Sequence, residues 1–164
     1  MLNVAAVNAL ERHEFTSLVA PVFEHSPWIA ARTEAKRPFQ DRAELLAALC
    51  ETVMKASHDE KVCLVRAHPD LVGNAVLTNE SQREQTEAGL GHLSAAEIQQ
   101  FQQYNAAYQE RFGFPFVICA RLNKKEAILQ AFPVRLRHSR EQELEIALAE
   151  IFKIAELRLQ DLVK

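Results

Sequence analysis

The sequence predicts an all-α fold: a single-domain multi-helix bundle over residues 1–164, with one extended segment near residues 114–121. Three observations support this prediction. The chain has only four glycines and six prolines, about half the usual density of such residues, which disfavours a turn-rich β-sandwich or barrel. Ala, Leu, Glu, Gln and Arg dominate the composition, and all five are strong helix formers. Apolar residues also recur at helical spacing along most of the chain.

The first half of the sequence divides into predicted helices because helical apolar patterns alternate with capping residues and prolines. Ser26-Pro27 predicts a helix start, since proline suits the first turn, and Arg37-Pro38 predicts an end. Asp41, with Glu44 three residues later, has the pattern of a capping box. The helices are expected at residues 4–10, 13–24, from 27, 42–57, from Asp59 to near His68, and 78–89.

The second half combines three capped helices with one extended run. The predicted helices begin at Ser94, Asn123 and Ser139, each with Glu or Gln three residues later, and end near Gly113, Arg135 and Leu162. Residues 114–121 are the one compact run of aromatic and β-branched residues. Because no second clear strand exists to pair with it, we expect a buried extended segment. Its N–H groups then need side chains, water or a ligand as acceptors.

Charge and apolar patterning exclude two classes of partner. The formal net charge is −3, so no global positive field is available to hold nucleic acid. No polybasic block indicates binding to an anionic membrane surface. The longest apolar runs are far shorter than the about 20 residues that a membrane helix needs. We therefore expect neither nucleic acid nor a membrane as a partner.

The two chain ends and the cysteines predict a cytoplasmic protein. The N-terminal stretch lacks the basic region and the continuous apolar core of a signal peptide, and the last residues lack a Ser-Lys-Leu peroxisomal address. Cys50, Cys63 and Cys119 are an odd, scattered set without a CxxC pair. This arrangement fits reduced thiols better than a disulfide framework.

Common catalytic motifs are absent from the sequence. It has no Gly-rich phosphate loop, HExxH, nucleophile elbow or zinc-spaced Cys/His cluster, so no metal site is predicted. What remains is a set of polar residues at structural breaks. His68 lies between a predicted helix and Pro69, and an imidazole is a natural proton donor near neutral pH. The alternative is a histidine that the dipole favours at a helix C-terminus.

Two further groups have both a functional and a structural interpretation. Ser81 and Glu84 share one helical face, with Gln85 beside them, but Ser-x-x-Glu is also a capping-box pattern. Arg158 lies in a largely apolar part of the last predicted helix. There its guanidinium either meets an anion or extends to solvent.

Ten different short motifs follow one another along nearly the whole chain. They are Ser26-Pro-Trp-Ile-Ala30, Arg37-Pro-Phe39, Ala67-His-Pro-Asp-Leu71, Leu77-Thr78, Ser81-x-x-Glu84-Gln85, Ala88-Gly-Leu90, Asn105-Ala-x-Tyr108, Arg111-Phe-Gly-Phe-Pro-Phe-Val-Ile118, Arg135-Leu136 and Ile154-Ala-x-x-Arg158-Leu159. As an ordered set they resemble the family of 2-oxo-4-hydroxy-4-carboxy-5-ureidoimidazoline (OHCU) decarboxylases of urate breakdown. The chain departs from the family pattern at Val72, where Gly or Ala is usual, and at residues 122–123 and Arg137.

The resemblance implies an all-helical enzyme without a cofactor, often a homodimer, that converts the small molecule OHCU into (S)-allantoin and CO₂. By position, His68 corresponds to the proton-transfer residue of the family, and Glu84 is its candidate catalytic partner. Arg158 corresponds to an arginine that anchors the substrate. The implied substrate contacts are Pro69, Ser81, Gln82, Arg83, Glu84, Gln85, Phe116, Val117, Ile118, Cys119 and Ala120.

Two other classes of protein stay open on the sequence alone. A helical interaction module without chemistry predicts that His68 and Glu84 lie far apart on the surface. A related cofactor-free lyase or isomerase, acting on another ureido compound, shares the same pocket and differs only in what it turns over.

Overall fold

The computed structural model describes residues 1–73 and 76–164. Within these residues the chain is helical without a strand, which confirms the all-α prediction. The α-helices are α1 (Val4–Asn8), α2 (Arg12–Val19), α3 (Pro27–Thr33), α4 (Arg42–Met54), α5 (His58–Arg66), α6 (Asn79–Glu87), α7 (Ala95–Phe112), α8 (Lys125–Arg135) and α9 (Arg140–Leu162). Short 3-10 helices lie at Ala20–Val22, Glu34–Lys36 and Ala120–Leu122. The segment of residues 72–77, which begins at the departure from the family pattern at Val72, includes residues 74–75, and these two lie outside the described residues.

The predicted helix caps are largely confirmed. Ser94 and Glu97 form the reciprocal capping box at the start of α7, and the Ser139 hydroxyl accepts the Gln142 N–H at 3.2 Å before α9. These caps form because a hydroxyl satisfies an N–H group that the first helical turn leaves without a backbone acceptor. Gly113 ends α7 in the left-handed conformation, with φ of 76°, which glycine adopts without steric cost.

Several helix boundaries in the first half differ from the prediction. α1 ends at Asn8 rather than residue 10, and α4 ends at Met54 rather than residue 57. α2 ends at Val19 rather than continuing to residue 24, and Ala20–Val22 forms a 3-10 helix. Pro21 is the physical reason, because its ring has no N–H group to donate to the preceding turn. α5 begins one residue earlier than expected, since Ser57 rather than Asp59 supplies the capping box.

One capping alternative and one capping prediction are wrong. Ser81 does not cap α6; the Thr78 hydroxyl accepts the Ser81 N–H at 3.1 Å, which places Ser81 inside the helix. Asn123 does not cap α8, whose N-cap is Lys124. The Asn123 amide instead donates to the Cys119 carbonyl at 2.9 Å and closes the turn that precedes the helix.

Internal contacts divide the chain into two compact units, of which the first comprises residues 1–67 and 152–164. In this unit, α3 packs against both α2 and α4. The fully buried side chains of its core include Phe15, Ile29, Leu45, Leu49 and Leu64. Trp28, the one tryptophan of the chain, lies on α3 with the Arg32 guanidinium 4.6 Å from its ring centroid.

The second unit, residues 68–151, is built around aromatic rings. Phe116 stacks on Phe132 of α8 with centroids 3.8 Å apart, and Tyr108 of α7 meets the Phe116 ring edge-on at 5.3 Å. Residues 114–119 are buried and form no regular secondary structure. The extended segment predicted near 114–121 is therefore present, and it ends in the 3-10 helix Ala120–Leu122.

Two predictions concern the chain as a whole. Among the described residues, none of the helices is both long and apolar enough to cross a membrane. The organisation of residues 1–164 as one domain stays a prediction.

Candidate active site

His68 follows α5 by two residues and is buried, with 8% of its surface exposed. Pro69 comes directly after it, and burial raises the pKa of the neighbouring Asp70. The helix that was expected to end near His68 ends at Arg66, so His68 lies in the connecting loop rather than in the last helical turn. A buried loop histidine beside a proline is a group that can exchange a proton away from bulk solvent.

The turn after His68 is fastened by two side chains of the second unit. The Asn105 amide on α7 donates to the Leu71 carbonyl at 2.8 Å, and the Val72 N–H donates to Gln85 Oε1 on α6 at 3.3 Å. The backbone of the turn closes on itself, because the Gly73 N–H donates to the Asp70 carbonyl at 3.3 Å. The structure thus brings the His68 loop next to α6 through Gln85.

α6 separates its predicted site residues between two faces. Ser81 and Glu84 are each only 6% exposed, and their spacing of three residues places them on the same face of the helix. Gln82 and Arg83 are exposed, so their side chains lie on the solvent side. Sequence spacing therefore identified a shared inward face for Ser81 and Glu84, whereas it did not separate Gln82 and Arg83 from them.

The extended segment presents backbone groups rather than polar side chains. Phe116, Val117, Ile118, Cys119 and Ala120 are all buried. The Cys119 N–H donates to Glu150 Oε1 at 3.3 Å. Within the described part of the chain, the N–H groups of Phe116, Val117 and Ile118 have no hydrogen-bond acceptor. A row of buried N–H donors without protein acceptors is suited to bind ligand oxygens.

α6 and the extended segment lie close together. α6 packs against Ala120–Leu122, and Arg121 Nε lies 3.8 Å from Glu87 Oε2 at the end of that helix. Burial raises the pKa of the Cys119 thiol, and the nearby Glu150 and Glu84 carboxylates raise this pKa further. Glu84 is therefore within electrostatic range of the segment. α6 is thus linked to the His68 loop through Gln85 and packs against the 3-10 helix in which the extended segment ends.

Arg158 lies in the first unit, on α9, and is only 4% exposed. Its Nη2 donates to Glu24 Oε1 at 2.8 Å, and its Nη1 donates to the Pro21 carbonyl at 3.2 Å. The interpretation of Arg158 as a residue that extends to solvent is wrong, because burying a guanidinium requires acceptors and the chain supplies them. The sequence did not identify Glu24 as the carboxylate partner of Arg158.

Four polar residues behind the extended segment were not identified as functional from the sequence. Tyr108, Arg135, His138 and Glu143 form a hydrogen-bonded cluster there, called the Glu143 cluster below. A glutamate and an arginine inside an aromatic core were the available signal, but their contact with residues 116–118 depends on tertiary structure. Among the described residues, no group of three or more metal-binding side chains is gathered at one point.

Comparisons with known proteins give a consistent result. The family profile described as OHCU decarboxylase matches residues 8–160. The chain is 40% identical over 161 residues to the 2-oxo-4-hydroxy-4-carboxy-5-ureidoimidazoline decarboxylase of Halalkalicoccus jeotgali, covering 98% of this chain and 92% of the relative. It is 36% identical to the uric acid degradation bifunctional protein PucL of Bacillus subtilis, covering 99% of this chain and 33% of that protein. The crystal structure of an (S)-allantoin synthase superposes with a TM-score of 0.79 at 30% identity, covering 99% of this chain and 54% of that chain.

Proposed function

The chain belongs to the OHCU decarboxylase family, and from this membership we propose that it decarboxylates OHCU to (S)-allantoin and CO₂ in urate degradation. The observation that carries the proposal is the position of α6 within one unit, bonded to the His68 loop through Gln85 and packed on the end of the segment that contains the N–H groups of residues 116–118. A proton donor, a carboxylate and preorganised backbone donors are the parts that this reaction needs.

The substrate supplies its own electron sink. A ring C=N lies beside the carbon that loses CO₂, so the electron pair of the breaking carbon–carboxyl bond forms a ring C=C while the C=N pair moves onto nitrogen, which takes up a proton from solvent. The hydroxyl-bearing carbon becomes a carbonyl when its O–H proton leaves, and the adjacent ring carbon takes up a proton. The tasks left to the protein are orientation and proton transfer on one face.

Glu84 and His68 divide these proton transfers. Glu84 is a buried carboxylate, and it accepts the proton of the substrate hydroxyl. His68 donates the proton that fixes the new stereocentre. Each transfer contributes on the order of 10²–10⁴-fold to the rate, and both take place away from bulk water.

Binding uses the remaining residues of the site. The N–H groups of Phe116, Val117 and Ile118 donate hydrogen bonds to oxygens of the substrate ring, and Ser81 and Gln85 bind the ureido or ring groups. The walls of the proposed substrate pocket include Pro69, Cys119 and Ala120. The side chains of Gln82 and Arg83 are exposed, so their role as substrate contacts stays a prediction. Arg158 belongs to the first unit, where Glu24 and the Pro21 carbonyl hold its guanidinium, and its role as a substrate anchor stays a prediction.

The test is an assay of allantoin formation from freshly generated OHCU, followed by polarimetry. OHCU decays unaided to racemic allantoin, so rate and chirality decide the question rather than product alone. We expect the protein to accelerate decay and to give an excess of the (S) enantiomer. Unchanged decay to racemic product would support an interaction module, and turnover of a different ureido compound in place of OHCU would support a related lyase.

A further inference from the structure

The Glu143 cluster is a buried polar group on the inner side of the extended segment. Glu143 and Tyr108 are fully buried, and Arg135 is 6% exposed. Glu143 Oε1 accepts hydrogen bonds from the Tyr108 hydroxyl at 2.6 Å and from Arg135 Nε at 2.7 Å. Glu143 Oε2 lies 2.8 Å from His138 Nδ1. One carboxylate thus holds the Arg135 guanidinium in a single orientation.

Arg135 also contacts the predicted substrate segment directly. Its Nη1 donates to the Val117 carbonyl at 2.6 Å, and its guanidinium lies 4.2 Å from the centroid of the Phe116 ring. Because the guanidinium is planar and rigid, fixing Nε on Glu143 also fixes the direction of Nη1. The position of the Val117 carbonyl is therefore set from the protein core.

A planar peptide transmits this position to the other side of the segment. The Val117 carbonyl and the Ile118 N–H belong to one trans peptide group, so they point in opposite directions. The Ile118 N–H thus points away from Arg135, and it has no acceptor among the described residues. A charged donor on the carbonyl also polarises the peptide, which strengthens the N–H as a donor.

We propose that Arg135, oriented by Glu143, is a positioning residue that aims and polarises the Ile118 N–H toward a substrate oxygen. This inference rests on the proposed function, since it assigns the acceptor of that N–H to the ureidoimidazoline ring. Tyr108 supports the arrangement as a neutral donor, because burial, followed by its bond to Glu143, raises the pKa of its hydroxyl.

The experiment compares Arg135→Lys with Arg140→Lys. Arg140 is a matched control: its Nε donates to the Phe112 carbonyl at 3.0 Å, and its guanidinium lies 5.3 Å from the centroid of the Phe114 ring. Arg135→Lys keeps the positive charge but loses the forked guanidinium, so a single ammonium nitrogen has to serve both Glu143 Oε1 and the Val117 carbonyl. We expect Arg135→Lys to raise KM for OHCU about tenfold, the effect of one lost hydrogen bond. Arg140→Lys should leave KM within about twofold of wild type.

A second variant covers the case in which Arg135→Lys does not fold. The double change Arg135→Gln with Glu143→Gln removes both charges, so no unpaired charge stays buried, and it should raise KM in the same way. In ¹⁵N spectra of either variant, the Ile118 amide should shift and exchange faster with solvent.

The outcomes separate this inference from the function on which it rests. The positioning role alone is overturned if the wild-type protein turns over OHCU and a folded Arg135 variant has the same KM and the same Ile118 resonance as wild type. A lower melting temperature with unchanged KM has the same meaning, because a purely structural ion pair predicts it. No acceleration by the wild-type protein overturns the proposed function and this inference together.

Discussion

His68 and Glu84 are 8% and 6% exposed, so a change at either residue alters a buried site rather than a solvated surface. Replacing His68 by Asn removes the titrating ring and keeps a polar side chain of smaller volume. We expect kcat for (S)-allantoin formation to fall by roughly 10²–10⁴-fold, with the far-UV circular dichroism spectrum unchanged. An unfolded variant would instead support a structural role for the histidine.

Arg158 gives a second prediction at the scale of a residue. Arg158→Lys keeps the charge opposite Glu24 and loses the planar fork, so we expect KM for OHCU to rise by about tenfold. Arg37 is a matched control, since it lies in the same unit, pairs with Glu34 and donates to the Asn8 carbonyl. Arg37→Lys should lower the melting temperature without changing KM. Wild-type kinetics in purified Arg158→Lys would refute the anchoring role.

The turn between α5 and α6 contains a β-branched residue in the left-handed conformation, Val72 with φ of 58°. This conformation costs a non-glycine residue about 1–3 kcal/mol. Val72→Gly should therefore raise the free energy of unfolding by about 1 kcal/mol, after the higher chain entropy of glycine is subtracted. The control is Val134→Gly, an exposed position inside the helix α8, which should lower stability. Urea denaturation of both variants measures the difference.

Secondary structure was predictable where the signal is local. Ser94 and Glu97 lie three residues apart and satisfy each other's backbone groups, so no distant contact is needed to form that cap. Asn123 has the same spacing to Glu126, yet its side chain bonds the Cys119 carbonyl. The competing acceptor belongs to the irregular segment, whose conformation depends on burial against aromatic rings. Local patterns therefore placed the helices and missed how the segment between them is held.

At the scale of the whole molecule, the sequence predicted candidate site residues but not the contacts that hold them. The motifs pointed to His68, Glu84 and residues 116–120, whereas Glu24 and the Glu143 cluster were missed. Arg135 and Val117 are 18 residues apart in the chain, and no helical or strand period joins positions at that spacing. Contacts of this kind arise only when separate elements pack together.

The proposal of a cofactor-free enzyme also belongs to this scale. Because the substrate accepts the electron pair itself, we expect full activity after exhaustive chelation and dialysis. Loss of activity that one divalent ion restores would contradict this expectation.

The oligomeric state and the location expected from the sequence also need direct tests. Size-exclusion chromatography with light scattering tests the expected homodimer, and fractionation of cells that express the tagged chain tests the expected cytoplasmic location.

The distribution of aromatic residues gives each compact unit its own optical label. Trp28 lies in the first unit, while Tyr104 and Tyr108, which are the two tyrosines of the chain, lie in the second. Fluorescence excited at the red edge of the absorption band therefore follows the first unit alone, and tyrosine absorbance in the derivative ultraviolet spectrum follows the second. Coincident unfolding curves at the two signals indicate one cooperative domain, whereas separate midpoints indicate two.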